Sequence, residues 1–407
     1  MNCRHCNNPL SHVFCDLQTC PPSNAMVKPE NLTHPENYFP LKIFTCEKCW
    51  LVQVDEMEKA EAIFNEEYTY FSSFSTSWLA HAKAYTDYMT DRFKYNQDSL
   101  VVEIASNDGY LLQYFKEKNI PVLGVEPTAN TAAVAKEKGI DSIIEFFGSS
   151  LAKEKLSGKA DLILGNNVLA HVPDINDFVK GVKIALKEKG VNTFEFPHLC
   201  TLVEYKQFDT IYHEHFSYLS LTVIKTIFES QGLEVFDVQE IPTHGGSLRI
   251  FTKHIEDKSK KIEDNVGRLL EKERKLGVDS LAYYSNFQEK VDQIKYDFWS
   301  FLIEQKKAGK KVIGYGAAAK GNTLLNYCGV KGNDLINFVV DASPYKQNKY
   351  LPGSRISVVG KEQIDMYKPD YIIIFPWNLQ EEIAKQLDYC RAWGCKFVIF
   401  IPALKII

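Results

Sequence analysis

Apolar and polar positions follow two rhythms along this chain of 407 residues. In "SLVVEIASNDGYLLQYFKEKNIPVLGVEP" a short apolar run ends at Glu103, small and polar residues make a turn, a helix begins near Tyr110, and a second apolar run ends at Glu126. The stretch "ADLILGNNVLAHVPDINDFVKGVKIALKEKGVNTFEFP" repeats strand, loop, helix and strand. This alternation predicts a Rossmann-like α/β unit whose ligands lie at the carboxyl ends of its strands. "KKVIGYGAAAKGNTLLNYCG" opens a second α/β unit, continued by "INFVVDAS", "PDYIIIFPWN" and "CKFVIFIPAL". Between the two units, Asp257 to about Lys310 is charged with apolar residues at helical spacing, which predicts amphipathic helices broken near Gly277. Leu51 to Phe93 also reads as helical.

The two turns differ in glycine content. "EIASNDG" holds only Gly109 and lacks the G-x-G-x-x-G that seats a pyrophosphate on a helix N-terminus. An adenosine cofactor without pyrophosphate fits better, and S-adenosylmethionine (SAM) is the obvious one. Its candidate contacts are Glu103, Ala105, Asn107, Asp108 and Gly109, with Glu126 able to accept from ribose hydroxyls. Asn166, Asn167 and His171 come to the same sheet edge. The second turn has Gly314 and Gly316, with Ala319 at the third position, so a weak dinucleotide fingerprint remains. An NAD-dependent sugar-nucleotide oxidoreductase or epimerase is therefore the alternative reading.

Composition narrows the classes further. A formal charge of -5 argues against general nucleic-acid or anionic-membrane binding. The start "MNCRHCNNPL" lacks an apolar leader core and the apolar runs are strand-sized, so a cytoplasmic protein with no membrane partner is expected. In that compartment ten cysteines are read as thiols and metal ligands. Cys3, Cys6, Cys46 and Cys49 form two C-x-x-C knuckles, a closed S4 set suited to a structural Zn2+. Cys15 and Cys20 read as buried small residues, and His5 and His12 as the other possible substitutes.

"DTIYHEHFSY" packs two histidines, a glutamate and two tyrosines into ten residues. In an extended segment His213 and His215 would face one way and Glu214 the other. The pattern alone suits a metal site, a general base with supports, or a polar loop.

"CRHC…CEKC", "EIASNDGYLL", "NVLAHVPD", "YHEHFSYLS", "HGGSLR" and "GYGAAAKGNTLLNY" occur together and in order. With them the chain resembles the sugar C-methyltransferase family, whose members are similar to nucleotide-linked deoxysugar 3-C-methyltransferases. The likeness runs from Cys3 to about Pro402; one departure is Ala105, where the family commonly has glycine. The resemblance implies a zinc-binding module over 1–55, a SAM-dependent methyltransferase domain over 56–255 and a C-terminal α/β domain over 256–407 that holds a nucleotide-diphosphate-linked keto-deoxysugar. It also implies removal of a proton from a sugar carbon beside a ketone, C3 next to a 4-keto group, and attack of the enolate on the SAM methyl. His215 is then the base, Tyr212 and Glu214 its supports, and Tyr70 and His171 line the sugar. Tyr212 can donate to the enolate oxygen. His244 lies beside the glycines of "HGGSLR", and Arg249 can face a phosphate or point to solvent. The substrate diphosphate falls to Gly316, Lys320, Asn322, Asp341 and Lys346.

Overall fold

A computed structural model describes residues 1–57, 59 and 71–407. β1 (His12–Cys20), β2 (Phe39–Thr45) and β3 (Val52–Val54) form an antiparallel meander. β3 corrects the helical reading of its stretch: its three residues are all buried, so no helical periodicity is present. Among the described residues of this stretch an α-helix forms at Thr76–Phe93, where the Ser75 side chain caps it by accepting from the Trp78 N–H.

The central sheet contains β4 (Val101–Ile104), β5 (Val122–Val125), β6 (Ser142–Ile143), β7 (Ala160–Asn166) and β8 (Leu186–Pro197). β9 (Ser217–Tyr218) leaves this unit and pairs with β3, so the first sheet runs β1-β2-β3-β9. β10 (Leu233–Ile241) and β11 (Ser247–His254) return to the central sheet as its antiparallel edge, giving the order β10-β11-β8-β7-β4-β5-β6. β4 lies between β7 and β5, all parallel. The strand order switches direction at β4, so the turn after it and the loop after β7 lie side by side, where open α/β sheets bind ligands.

Helices Asp264–Leu276, Leu281–Tyr284 and Phe287–Lys307 follow, and Gly277 closes the first of them with φ 85°. β12 (Val312–Tyr315), β13 (Val339–Val340), β14 (Val358–Val359), β15 (Tyr371–Ile374), β16 (Lys396–Ile399) and β17 (Lys405–Ile406) form the third sheet, ordered β14-β13-β12-β15-β16-β17. No helix among the described residues is long and apolar enough to cross a membrane.

The N-terminal segment acts as a wedge between the two α/β units. Phe14, Leu41, Ile43 and Val54 share a core with Phe287, Val291 and the third sheet, and the Phe14 ring stacks on Phe287 at 4.5 Å. Cys3, Cys46, Cys49 and Leu51 pack instead with the central sheet. Residues 208–218 run through the place where all three parts meet.

Candidate active site

The turn after β4 is strained. Ala105 (φ 56°), Asn107 (φ 50°) and Gly109 (φ 73°) are all left-handed, and for the two non-glycine residues this costs about 1 kcal/mol each. It is held by Ala105 N–H donating to Val125 O (2.7 Å) and Asn107 N–H donating to Glu126 Oε2 (2.8 Å). A side chain at Gly109 would meet Ile140 Cδ1 at 2.7 Å. Glu103 is fully buried with neither carboxylate oxygen hydrogen-bonded within normal geometry among the described residues, and burial pushes its carboxyl well above the ordinary range. Asn167 Oδ1 is likewise buried without a partner among the described residues, and Asn166 Nδ2 donates to the Tyr110 hydroxyl (3.2 Å). Orphaned acceptors at the β4 and β7 ends match the donors of SAM, its amino group and ribose hydroxyls.

The side chains of Asn107 and Asp108 also hold a neighbouring segment. Asn107 Oδ1 accepts from Ser72 N–H (2.9 Å), and Asp108 Oδ2 from Ser73 N–H (3.3 Å), clamping the segment that enters helix Thr76–Phe93. Glu126 Oε1 accepts from the Thr128 N–H (2.9 Å) and hydroxyl.

Residues 212–215 form a turn closed by His215 N–H donating to Tyr212 O (2.9 Å), not an extended segment. The two histidines consequently diverge. His213 Nε2 donates to Pro40 O (3.2 Å), and buried Glu214 accepts from Asn24 Nδ2 at 2.8 and 3.0 Å, both toward the N-terminal segment. This divergence means His213 and His215 do not face a common metal. His215 Nδ1 donates to Thr210 O (3.0 Å), so its Nε2 carries the lone pair. Its ring lies 4.0 Å from that of Tyr212 and 4.6 Å from that of His171. Burial holds His171 at about 4, and lowers His215 well below the usual imidazole range with help from His171, His244 and Lys320.

His244 stands edge-on to Trp78 at 5.1 Å and faces Asn167 at 3.5 Å. Arg249 points neither at a phosphate nor to solvent. It is buried, donating to Glu195 Oε2 (2.9 Å) and Gln239 Oε1 (3.2 Å) over the Tyr85 ring. Glu195 also accepts from His81 Nε2 (2.9 Å) and Thr243 Oγ1 (3.0 Å). Burial alone would raise the Glu195 carboxyl, but His81 and Arg249 more than offset it and keep it ionised. Sequence reasoning missed His81 and Glu195. The available signal was an acid inside the apolar strand "TFEFP".

From the third sheet, Lys320 Nζ donates to Asn378 Oδ1 (2.8 Å) and lies 4.3 Å over the Trp377 ring. Trp377 Nε1 donates to Asp209 Oδ2 (2.7 Å), and a side chain at Gly245 would collide with the Trp377 ring. Side chains at Gly314 and Gly316 would meet Phe375 and Pro376, each at 2.5 Å. The space a dinucleotide fingerprint keeps clear is filled here by protein. Asp341 accepts from Ala317 N–H (2.7 Å) and Ser343 N–H (2.8 Å), Lys346 Nζ donates to Ala317 O (2.8 Å), and Asn322 Nδ2 donates to Ser23 O (2.6 Å). Of the expected substrate residues, His244 and Lys320 come to His215. Gly316, Asp341 and Lys346 cluster around the turn after β12, while Asn322 faces the N-terminal segment. Tyr70 lies outside the described residues.

The Sγ atoms of Cys3, Cys6, Cys46 and Cys49 lie within 4.8 Å of one another, with Cys3–Cys49 and Cys6–Cys46 at 3.5 Å. A tetrahedral ZnS4 site with Zn–S near 2.3 Å needs sulfurs about 3.8 Å apart, so the set fits zinc. Gln53 Nε2 donates to Cys3 Sγ (3.2 Å) as outer support. Cys15 and Cys20 are core residues of β1.

Comparison with known proteins gives three family models in succession: "Putative zinc binding domain" over 3–64, "Methyltransferase domain" over 79–238 and "C-methyltransferase C-terminal domain" over 242–402. The chain is 33% identical over 407 residues to C-methyltransferase NovU of Streptomyces niveus, covering 100% of this chain and 96% of that protein. The chain belongs to the C-methyltransferase family. This C-methyltransferase is SAM-dependent and carries a zinc-binding N-terminal region. Solved structures similar to it include a SAM-dependent methyltransferase from Archaeoglobus fulgidus (14% identity, 42% of this chain and 94% of that one, TM-score 0.33). Another is a methyltransferase from Clostridium acetobutylicum ATCC 824 (12%, 42% and 90%, TM-score 0.34).

Proposed function

We propose that the protein is a cytoplasmic enzyme that methylates a carbon of a nucleotide-diphosphate-linked keto-deoxysugar, C3 beside a 4-keto group, with His215 as the base. The observation that carries this reading is the His215 tautomer. Thr210 O accepts the Nδ1–H hydrogen bond, so Nε2 carries the lone pair, with the Tyr212 and His171 rings beside it and His244 and Lys320 near enough to influence its titration. A saturated C–H is not nucleophilic, and a neighbouring ketone makes its proton acidic enough for imidazole. Glu103, Glu126, Asn166 and Asn167 would hold SAM, which supplies a methyl group activated as a sulfonium. His215 takes the carbon proton, and the Tyr212 hydroxyl donates to the oxygen that gains charge.

Burial, helped by the neighbouring histidines and the Lys320 charge, depresses His215, which keeps it neutral but weakens it as a base. A bound diphosphate beside Lys320 works in the opposite direction and restores basicity only when substrate is present. Gly316, Asp341 and Lys346 form the rim on which the nucleotide would rest. The test is incubation of the full chain with SAM and a panel of nucleoside-diphosphate 4-keto-deoxysugars, reading product mass. A gain of one CH2 together with formation of S-adenosylhomocysteine supports the reading; the absence of any methylated sugar across the panel rejects it.

A further inference from the structure

We propose that Asp209 is a positioning residue of the active site, holding Trp377 and Lys320 of the C-terminal unit so that the lysine's charge faces His215. Asp209 is 1% exposed and sits in the single turn Phe208–Thr210 that opens the loop carrying Tyr212 and His215. One carboxylate oxygen accepts from the Trp377 indole at 2.7 Å, and the other, Oδ1, is buried with no hydrogen-bond partner among the described residues. Leaving a carboxylate buried and only half satisfied is destabilising. An asparagine would accept the same indole N–H at lower cost, so the carboxylate contributes something an amide does not: its charge.

That charge acts on Lys320, and each influences the other's titration. Lys320 is held on the Trp377 ring and tethered to Asn378, so anything that fixes Trp377 fixes the ammonium. The remaining anchors make the arrangement rigid. Gln207 Nε2 donates to Gly245 O (2.8 Å), Thr210 Oγ1 to Gln207 O (2.7 Å), and Thr323 Oγ1 to Ile211 O (2.9 Å), pinning the loop to helix Ala319–Tyr327. The charged and titratable groups near enough to couple with Lys320 are Asp209, His215 and His244. His171 stands beside His215, and Glu195 and His81 lie behind His244.

Burial brings Lys320 down to about 8, and Asp209 opposes that fall. Without the carboxylate the lysine would lose its proton closer to neutral pH, just where negative charge develops on the substrate. The use of the charge rests on the function proposed above; the coupling between Asp209 and Lys320 does not.

The experiment uses full-length, zinc-loaded Asp209→Asn. Lys320 is titrated by competitive trace acetylation with acetic anhydride, read by mass spectrometry, and kcat/KM is followed against pH with whichever 4-keto nucleotide sugar is turned over. The expected result is a fall of about one pH unit in the Lys320 midpoint, with the alkaline limb of kcat/KM moving by the same amount and S-adenosylhomocysteine binding unchanged. An unmoved midpoint, or activity lost equally at every pH with the limb fixed, overturns the proposal. Trp377→Phe, which removes the indole N–H but keeps a ring under the lysine, should give a smaller shift in the same direction and serves if Asp209→Asn does not fold. A moved midpoint without methylation of any sugar supports the positioning role and sinks the substrate reading instead.

Discussion

The turns after β4 and after β12 are built on the same plan, a strand entering a small-residue turn with an acid at the end of the next strand, yet they finish in opposite states. After β4, Ala105 and Asn107 are left-handed without being glycine; Glu126 is bonded through both oxygens as Asp341 is, but Glu103, within β4 itself, is buried with neither oxygen hydrogen-bonded among the described residues. After β12, the one left-handed residue is Gly316, Asp341 is hydrogen-bonded through both oxygens, and Phe375 and Pro376 fill the space beside the glycines. Strain and unsatisfied polarity persist where a ligand is meant to relieve them. The relaxed turn is a platform that presents Lys320 to the His215 loop. Similar secondary structure therefore does not fix the chemistry of a turn; the side chains packed beside it decide whether strain and unsatisfied polar atoms remain.

The largest expected effect lies outside both turns. Cys49→Ser should lose zinc, and because β3 pairs with β9 the disorder should reach the His215 loop, lowering methyl transfer about 100-fold or more. Metal content and turnover measured together check this; full activity in a zinc-free variant would break the link. Next comes the direct contrast. Glu103→Gln should weaken S-adenosylhomocysteine binding about tenfold by calorimetry with little change in Tm. Asp341→Asn should do the reverse, costing about 1–2 kcal/mol of stability while leaving that binding alone. Equal effects on binding from both substitutions would erase the distinction between the turns.

Sequence reasoning went as far as local spacing reaches. The C-x-x-C pairs are legible because a metal fixes their geometry within each knuckle, and Gly277 because a helix end needs a left-handed residue. The facing of "YHEH" was misread, because a turn closed between Tyr212 and His215 reverses the chain and sends His213 to Pro40. Arg249 was misplaced because its partner Glu195 lies 54 residues away on a neighbouring strand. Asp209 and Trp377 pair across 168 residues, a contact no local pattern announces.

The buried histidines near His215 give a pH signature. His171 and His244 both fall to about 4 on burial, from an ordinary value of 6.5. The unfolded chain therefore binds more protons below about pH 6.5, and stability present above that value should decline as pH drops toward 4. Thermal unfolding followed from pH 7.5 downward, about three units, checks it. Replacing both histidines with glutamine should flatten the decline. The smallest effect is expected for Ala105→Gly, which removes about 1 kcal/mol of left-handed strain and is partly offset by the freer unfolded chain, for a rise of about 1–2 °C in Tm. A fall in Tm would mean that the Ala105 methyl makes contacts worth more than the strain.

The central claim is that His215 removes a proton from a carbon next to the substrate ketone. Deuterium exchange tests it without methyl transfer: the enzyme is incubated with S-adenosylhomocysteine and a nucleoside-diphosphate 4-keto-deoxysugar in D2O, and deuterium at the carbon beside the ketone is read by NMR. The account predicts exchange by the wild-type protein and a loss of two or more orders of magnitude in His215→Asn, which should still bind S-adenosylhomocysteine. Exchange at the wild-type rate in His215→Asn would contradict it.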